Sequence, residues 1–368
     1  MIRILQFLML VIICFDVFAQ KVSYNYLPDS SSTEFQEVMR LFENYLASNP
    51  QNQEKNTYWN TEEQQNYKNY DFLESEFQPS LYMGFPVHVL SIKSRDDFYE
   101  IKAQFSYTQE DGSPYILAIV NYIARKENGV LKLANALLIN RQEWRCTTVG
   151  WVDFYYPPYH SFDQGKAKKL NDFIDRICSD FGVKPMPFDY YLADDFDEIQ
   201  ELKGLDYYLG MGGSAKPRGK AGENQVYCGG LGEYYPHEVF HVLIDKHFPN
   251  KHFWASEGIA TFLGGSRGES LDWHIKKTDA HLKTHPELNL NEMLTLSNLD
   301  SETAFHYVLG GLIAKKFFEK GGWNLLKELL NSGENDQDYY QFIEQHLGVK
   351  QSELNAFLRE ELNRESRL

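Results

Sequence analysis

His237-Glu238-Val239-Phe240-His241 sets two imidazoles four residues apart, a spacing that puts them on one face of a helix. Neutral imidazoles are good zinc ligands, and Glu238, beside the first of them, can accept and return a proton. A carboxylate from a following element completes a three-ligand site that keeps one position open for water. Those are the parts that zinc-assisted hydrolysis requires.

The flanking residues support a helix that holds such a site. Pro236 suits the first turn, and Val239, Phe240, Val242, Leu243 and Ile244 make the helix apolar on nearly every side, so it should be buried. Buried imidazoles left unpaired cost on the order of 2–7 kcal/mol each, and a metal satisfies both at once. Two residues compete as third ligand. His247 has the count of a metzincin-type His-Glu-x-x-His-x-x-Gly-x-x-His pattern, which needs a glycine bend. Ile244 occupies that bend, so a continuing helix turns His247 away. Glu257, in Trp254-Ala255-Ser256-Glu257-Gly258-Ile259-Ala260 on the next expected helix, is preferred.

This second segment resembles the Trp-x-x-Glu-Gly-x-Ala of gluzincin zinc metallopeptidases, in particular the peptidase MA-like, M1 aminopeptidase-like branch. Ser256 stands where that family commonly has Asn, and the gap from His241 is a little short. The resemblance implies one Zn2+ held by His237, His241 and Glu257, with Glu238 as general base and peptides or proteins as substrates. Downstream, Tyr307-Val308-Leu309-Gly310 is similar to the family's Tyr-x-x-Gly, which implies that Tyr307 stabilises the transition state, with His306 as its neighbouring substitute. Ala221-Gly222-Glu223-Asn224 resembles only in part the segment by which M1 aminopeptidases hold a substrate amine, and reads as a polar loop. The resemblance covers roughly residues 223–368. A catalytically inactive gluzincin-like binding protein, against which the intact Glu238 argues, and a purely structural secreted protein are the competing readings.

Composition narrows the partners. The 368 residues carry 52 acidic against 36 basic side chains, a formal charge of −16, which disfavours nucleic acid and anionic membranes. A 43% hydrophobic and 15% aromatic content implies well-filled cores. Residues 1–19 read as a signal peptide: Arg3, an apolar run from Leu5 to Cys14, and Val17-Phe18-Ala19 before the cleavage point. The run is too short to span a bilayer, and Ile13 fits poorly before a lipidated Cys14. The expected location is therefore extracytoplasmic, with no stable membrane span. Cys146, Cys178 and Cys228 then remain, allowing one disulfide at most.

The elements that must position these residues divide the chain in two, at Pro157-Pro158 through Gly165. Residues 20–160 are expected to form an α+β domain. A helix over Thr33 to Ala47 precedes strands over Val87 to Ile92, Tyr99 to Tyr107, Tyr115 to Ile123, Val130 to Ile139 and Thr147 to Tyr155. That order resembles the NTF2-like or cystatin-like domains, in which a curved antiparallel sheet wraps an N-terminal helix. Residues 161–368 should be mostly α with a small sheet. Its expected helices run from Ala167 to Phe181, Tyr234 to Lys246, His252 to Leu263, Ala304 to Lys320, Trp323 to Asn331, Tyr339 to Leu347 and Ser352 to Asn363. Strands are expected over Pro187 to Leu192 and Gln225 to Cys228, the latter an edge to which a peptide could add.

Overall fold

The computed structural model describes residues 20–27, 29–52, 55–213 and 217–368. The export signal read at residues 1–19 lies outside them. The fold is α+β, and the contacts divide it into two units, one reaching Gln142 and resuming over Gln200–Gly213, the other comprising Glu143–Ile199 and Ser214–Leu368.

The first unit opens with strand β1 (Val22–Tyr24) and helix α1 (Thr33–Ala47). The Ser32 side chain caps α1 by accepting from the Phe35 N–H. Phe35, Val38, Leu41, Phe42, Tyr45 and Leu46 recur at helical spacing and form its buried face. Helix α2 (Thr61–Asn66) has no apolar residue and follows an Asn60 cap. Strands β2 (Val87–Ser94), β3 (Phe98–Thr108), β4 (Pro114–Glu127) and β5 (Val130–Asn135) make an antiparallel meander, with β1 parallel to β2. The short helix α3 (Leu137–Asn140) ends the run. Alternate strand residues such as Val89, Ile101, Phe105 and Tyr122 pack with the buried face of α1 in one core.

Two buried carboxyls are built into this core. Asp71 accepts from the Tyr45 hydroxyl at 2.6 Å and the Tyr82 hydroxyl at 2.5 Å. Glu63 on α2 accepts from the Trp59 indole at 2.8 Å and the Asn135 amide side chain at 2.7 Å. Burial outweighs those bonds and pushes the Glu63 carboxyl up to about 7.

The second unit begins with strands β6 (Arg145–Val149) and β7 (Val152–Tyr156). The expected strand over Thr147 to Tyr155 is therefore a hairpin folded at Gly150–Trp151, and it belongs to a second sheet rather than to the meander. Helix α4 (Gln164–Phe181) crosses over to β8 (Phe188–Ala193), which runs parallel to β7. The segment from Pro157 to Gly165, read as a domain boundary, joins β7 to α4 inside this unit. Helix α5 (Phe196–Leu202) then leads into β9 (Leu205–Tyr208), which pairs with β4 in the first unit.

Strands β10 (Arg218–Ala221) and β11 (Gln225–Gly229) complete the second sheet, in the order β10-β11-β8-β7-β6. The segment over Gln225 to Cys228 is therefore not an edge, because β10 covers it. Helices α6 (Pro236–Ile244), α7 (Phe253–Gly264), α8 (Leu271–Thr284), α9 (Phe305–Leu330), α10 (Asp336–Leu347) and α11 (Leu354–Glu365) follow. Gly322 breaks α9 with non-helical backbone, which divides it into the two expected helices. No helix among the described residues is long and apolar enough to cross a membrane. Cys178 and Cys228 are free, buried thiols; burial pushes the Cys178 thiol up to about 11 and the Cys228 thiol up to about 12.

Candidate metal centre

Helix α6 starts at Pro236, in the first turn, and almost all of it is buried in the core of the second unit. Val239, Phe240, Leu243 and Ile244 anchor it there, which fixes the direction of the His237/His241 face. Glu238 is the exception, half-buried beside β10: a Cβ on Gly219 would lie 2.7 Å from its Cγ and 2.2 Å from the Tyr235 ring. The missing side chain lets the strand pass close over both residues.

Each imidazole has its Nδ1 engaged. His237 Nδ1 lies 2.7 Å from the Gly265 carbonyl oxygen, which can only accept, so this nitrogen carries the hydrogen. His241 Nδ1 lies 3.2 Å from both Asp245 Oδ2 and Ser256 Oγ. The Ser256 hydroxyl donates to Asp245 Oδ1 at 2.9 Å, and Lys251 Nζ stands 3.4 Å from the same carboxylate. With the hydrogen on Nδ1, each ring turns its Nε2 inward. Facing these atoms from the neighbouring helix is Glu257: its Oε2 is 3.2 Å from His237 Nε2, and its Oε1 is 3.5 Å from His241 Nε2.

The chemistry of this donor set fits a divalent cation. His241 Nε2 is buried without a hydrogen-bond partner. The ligand atoms of His237, His241 and Glu257 all lie within 4.8 Å of one another. Two imidazole lone pairs and a carboxylate crowded together repel unless a cation lies among them. Protonation is the alternative in the bare chain. Burial opposes the His241 imidazolium, but the Glu257 and Asp245 carboxylates outweigh it and hold this group well above its ordinary value. Burial likewise pushes the Glu257 carboxyl up, yet His241 and His237 leave it well below the usual carboxylate range.

Helix α9 brings Tyr307 to the same place. Its ring meets His237 edge-on, with centroids 5.6 Å apart. Burial and the nearby Glu257 raise its phenol, so it keeps its proton at neutral pH. His306 packs against it at 4.2 Å and against Phe253 at 5.0 Å; burial lowers its imidazole. By contrast, His247 is exposed in a 3-10 turn following α6. Ile244 keeps right-handed backbone, so the chain does not bend His247 back toward His237 and His241. Glu223 is exposed in the turn between β10 and β11.

Sequence reasoning missed Asp245 and Arg267. Asp245 stands four residues after His241, a spacing that could have identified it as the imidazole's partner. Arg267 lies in Gly264-Gly265-Ser266-Arg267-Gly268, where the glycines signal only a turn. Its guanidinium carbon is 5.9 Å from the Tyr307 ring centre.

No family model matches the sequence, and no curated protein matches it. Among solved structures, the M1 zinc metallopeptidase from Deinococcus radiodurans is similar at TM-score 0.32 and 12% identity, over 77% of this chain and 64% of that one. A mutant two-domain M1 zinc metallopeptidase bound to L-arginine is similar at TM-score 0.31 and 13% identity, over 77% and 63%. This chain thus spans less than two thirds of the length of either, and the likeness to these metallopeptidases is weak.

Proposed function

We propose that this protein is a zinc-dependent peptidase acting outside the cytoplasm, after loss of residues 1–19. The observation that carries the reading is the convergence of His237 Nε2, His241 Nε2 and the Glu257 carboxylate within 4.8 Å, with Glu238 on the same helix left out of the ligand set. A bound Zn2+ supplies a Lewis acid and lowers the pKa of a water molecule toward ~7. Glu238 takes the proton of the attacking water and passes it to the leaving amine. The Tyr307 phenol, protonated at neutral pH, donates to the oxyanion that develops on the scissile carbonyl. A donor in that role is worth about 3 kcal/mol in comparable enzymes. Gly265 and Asp245 hold the tautomers that leave both Nε2 atoms free to bind metal.

Metal analysis combined with cleavage of a mixed peptide library tests this. The native protein should contain one zinc per chain and cut peptides in a chelator-sensitive way. Glu238→Gln should keep the metal while losing at least about a hundredfold in kcat, and Glu257→Ala should lose the metal. Zinc retained in Glu257→Ala but lost in His247→Ala would move the third ligand to His247. A zinc-loaded protein that cleaves nothing in the library would leave a binding protein on a peptidase-like scaffold.

A further inference from the structure

Arg267 combines three features that packing alone does not explain. Its backbone is left-handed, with φ of 52°, a conformation that is costly for a bulky side chain. Strain of that kind persists where the surroundings impose it. Here they do: the Arg267 N–H donates to the Tyr235 hydroxyl at 3.3 Å, and the preceding carbonyl, Ser266 O, lies 3.1 Å from His274 Nε2. His274 is fully buried and is fixed from its other side by the Thr303 hydroxyl at 2.9 Å. The loop is thus clamped from the metal helix and from the segment preceding α9.

The side chain is the second feature. Arg267 donates through one guanidinium nitrogen to the Ser301 carbonyl and bonds the Tyr307 phenol, with its guanidinium carbon 5.9 Å from that ring's centre. Among the described residues no carboxylate pairs with it. An arginine has five N–H donors in a planar fork, so most of its hydrogen-bonding capacity is unspent. The third feature is its address. Tyr307 neighbours both Arg267 and His237, at 5.9 Å and 5.6 Å, which puts the guanidinium within about three to four residues of extended chain from the imidazole, at roughly 3.3–3.6 Å per residue. In a chain of formal charge −16, this is an uncompensated cation beside the metal centre.

We propose that Arg267 binds a carboxylate of the substrate, within about three to four residues of the bond that is cut. The fork of the guanidinium matches a carboxylate in two parallel hydrogen bonds. The clamped backbone sets the fork in place before substrate arrives, which lowers the entropy lost on binding. The carboxylate comes either from the substrate's C-terminus or from an aspartate or glutamate side chain. This inference rests on the peptidase reading only for where the peptide lies.

Binding is measured by calorimetry on the zinc-loaded full chain carrying Glu238→Gln, so that the answer does not depend on turnover. The probes are N-acetylated tetra-alanine with a free carboxylate, its C-terminal amide, and the amide with Glu or Gln at the third position. At least one carboxylate-bearing peptide should bind about tenfold or more tightly than its neutral counterpart. Arg267→Gln in the same background should bring that ratio to about one, and Arg267→Lys, a point charge, should leave an intermediate ratio. A preference confined to the free terminus assigns the C-terminal carboxylate; one confined to Glu assigns the side chain; either supports the inference. Equal affinity for charged and neutral peptides, or a preference that survives Arg267→Gln in a protein still holding its zinc, overturns it. Chelator-sensitive cleavage by the unmodified protein is scored separately, so a failed peptidase reading and a failed carboxylate site give different results.

Discussion

His241 has two ring nitrogens, and Asp245 decides which of them faces Glu257. The carboxylate holds the Nδ1 hydrogen at 3.2 Å, and Ser256 and Lys251 hold the carboxylate in turn. Asp245→Asn keeps the shape but removes the charge that makes the imidazole a stronger ligand. Zinc affinity should fall about tenfold to a hundredfold, read by competition with a chelating dye, and the fold should be retained. An unchanged affinity would reduce Asp245 to a surface partner of Lys251. His237, Glu238 and His241 were legible in the sequence because helical spacing alone places them together. Glu257 was legible through its resemblance to a family segment, since no local periodicity ties it to His241. Asp245 and Arg267 were not, for a physical reason: their roles depend on what a neighbouring helix or loop presents to them.

Helices α7 and α9 can cross closely because Gly258 faces Gly310. A Cβ on Gly258 would lie 2.4 Å from the Gly310 carbonyl carbon, closer than any real contact. That crossing follows immediately after Glu257 and three residues after Tyr307, so the spacing of the two helices sets the spacing of the ligand and the phenol. Gly258→Ala should destabilise the protein by about 1–3 kcal/mol in urea unfolding. It should also weaken zinc binding more than an alanine at exposed Gly268 does. At this scale apolar periodicity identified α1, α4 and β2 to β4, but the strand expected over Val130 to Ile139 stops at Asn135 and gives way to α3. It failed for α8, whose inward positions include His274, Thr278 and Asp279 between Leu271, Ile275 and Leu282. The spacing is helical, but half of the buried stripe is polar. It failed likewise for α2, which buries Glu63 and no apolar residue, and for β10, whose Arg-Gly-Lys-Ala carries no strand signature. Missing β10 is what made β11 read as an edge.

At the scale of the whole chain, each unit has its own core with ionisable groups buried in it. In the first unit one of these is Glu63, whose carboxyl stands at about 7 in the fold against about 4.5 when unfolded. A folded value above the unfolded one means that the native state holds the extra proton between the two. The resulting stability is fully present below about pH 4.5 and is lost as pH rises through about 7. Urea unfolding of the wild type should therefore show a decline across that window which Glu63→Gln lacks. An identical slope for the two proteins would locate the titration elsewhere. The division of the chain was only partly legible, because the second unit's sheet takes in β6 and β7 from before the proline pair and is interrupted by β9.

The donors of the metal centre come from consecutive helices, with His237 and Glu257 only 20 residues apart. Closing a ring of that size costs roughly 3 kcal/mol of chain entropy, less than a ring of about 100 residues would cost. Tyr307 and the Ser301 anchor of Arg267 arrive from a later stretch of chain, once α9 has packed. The three candidate ligands thus come from one short stretch of chain, and the rest of the candidate site from a distant one. On the proposed function, a chain folded only partway would hold its metal before it could use it.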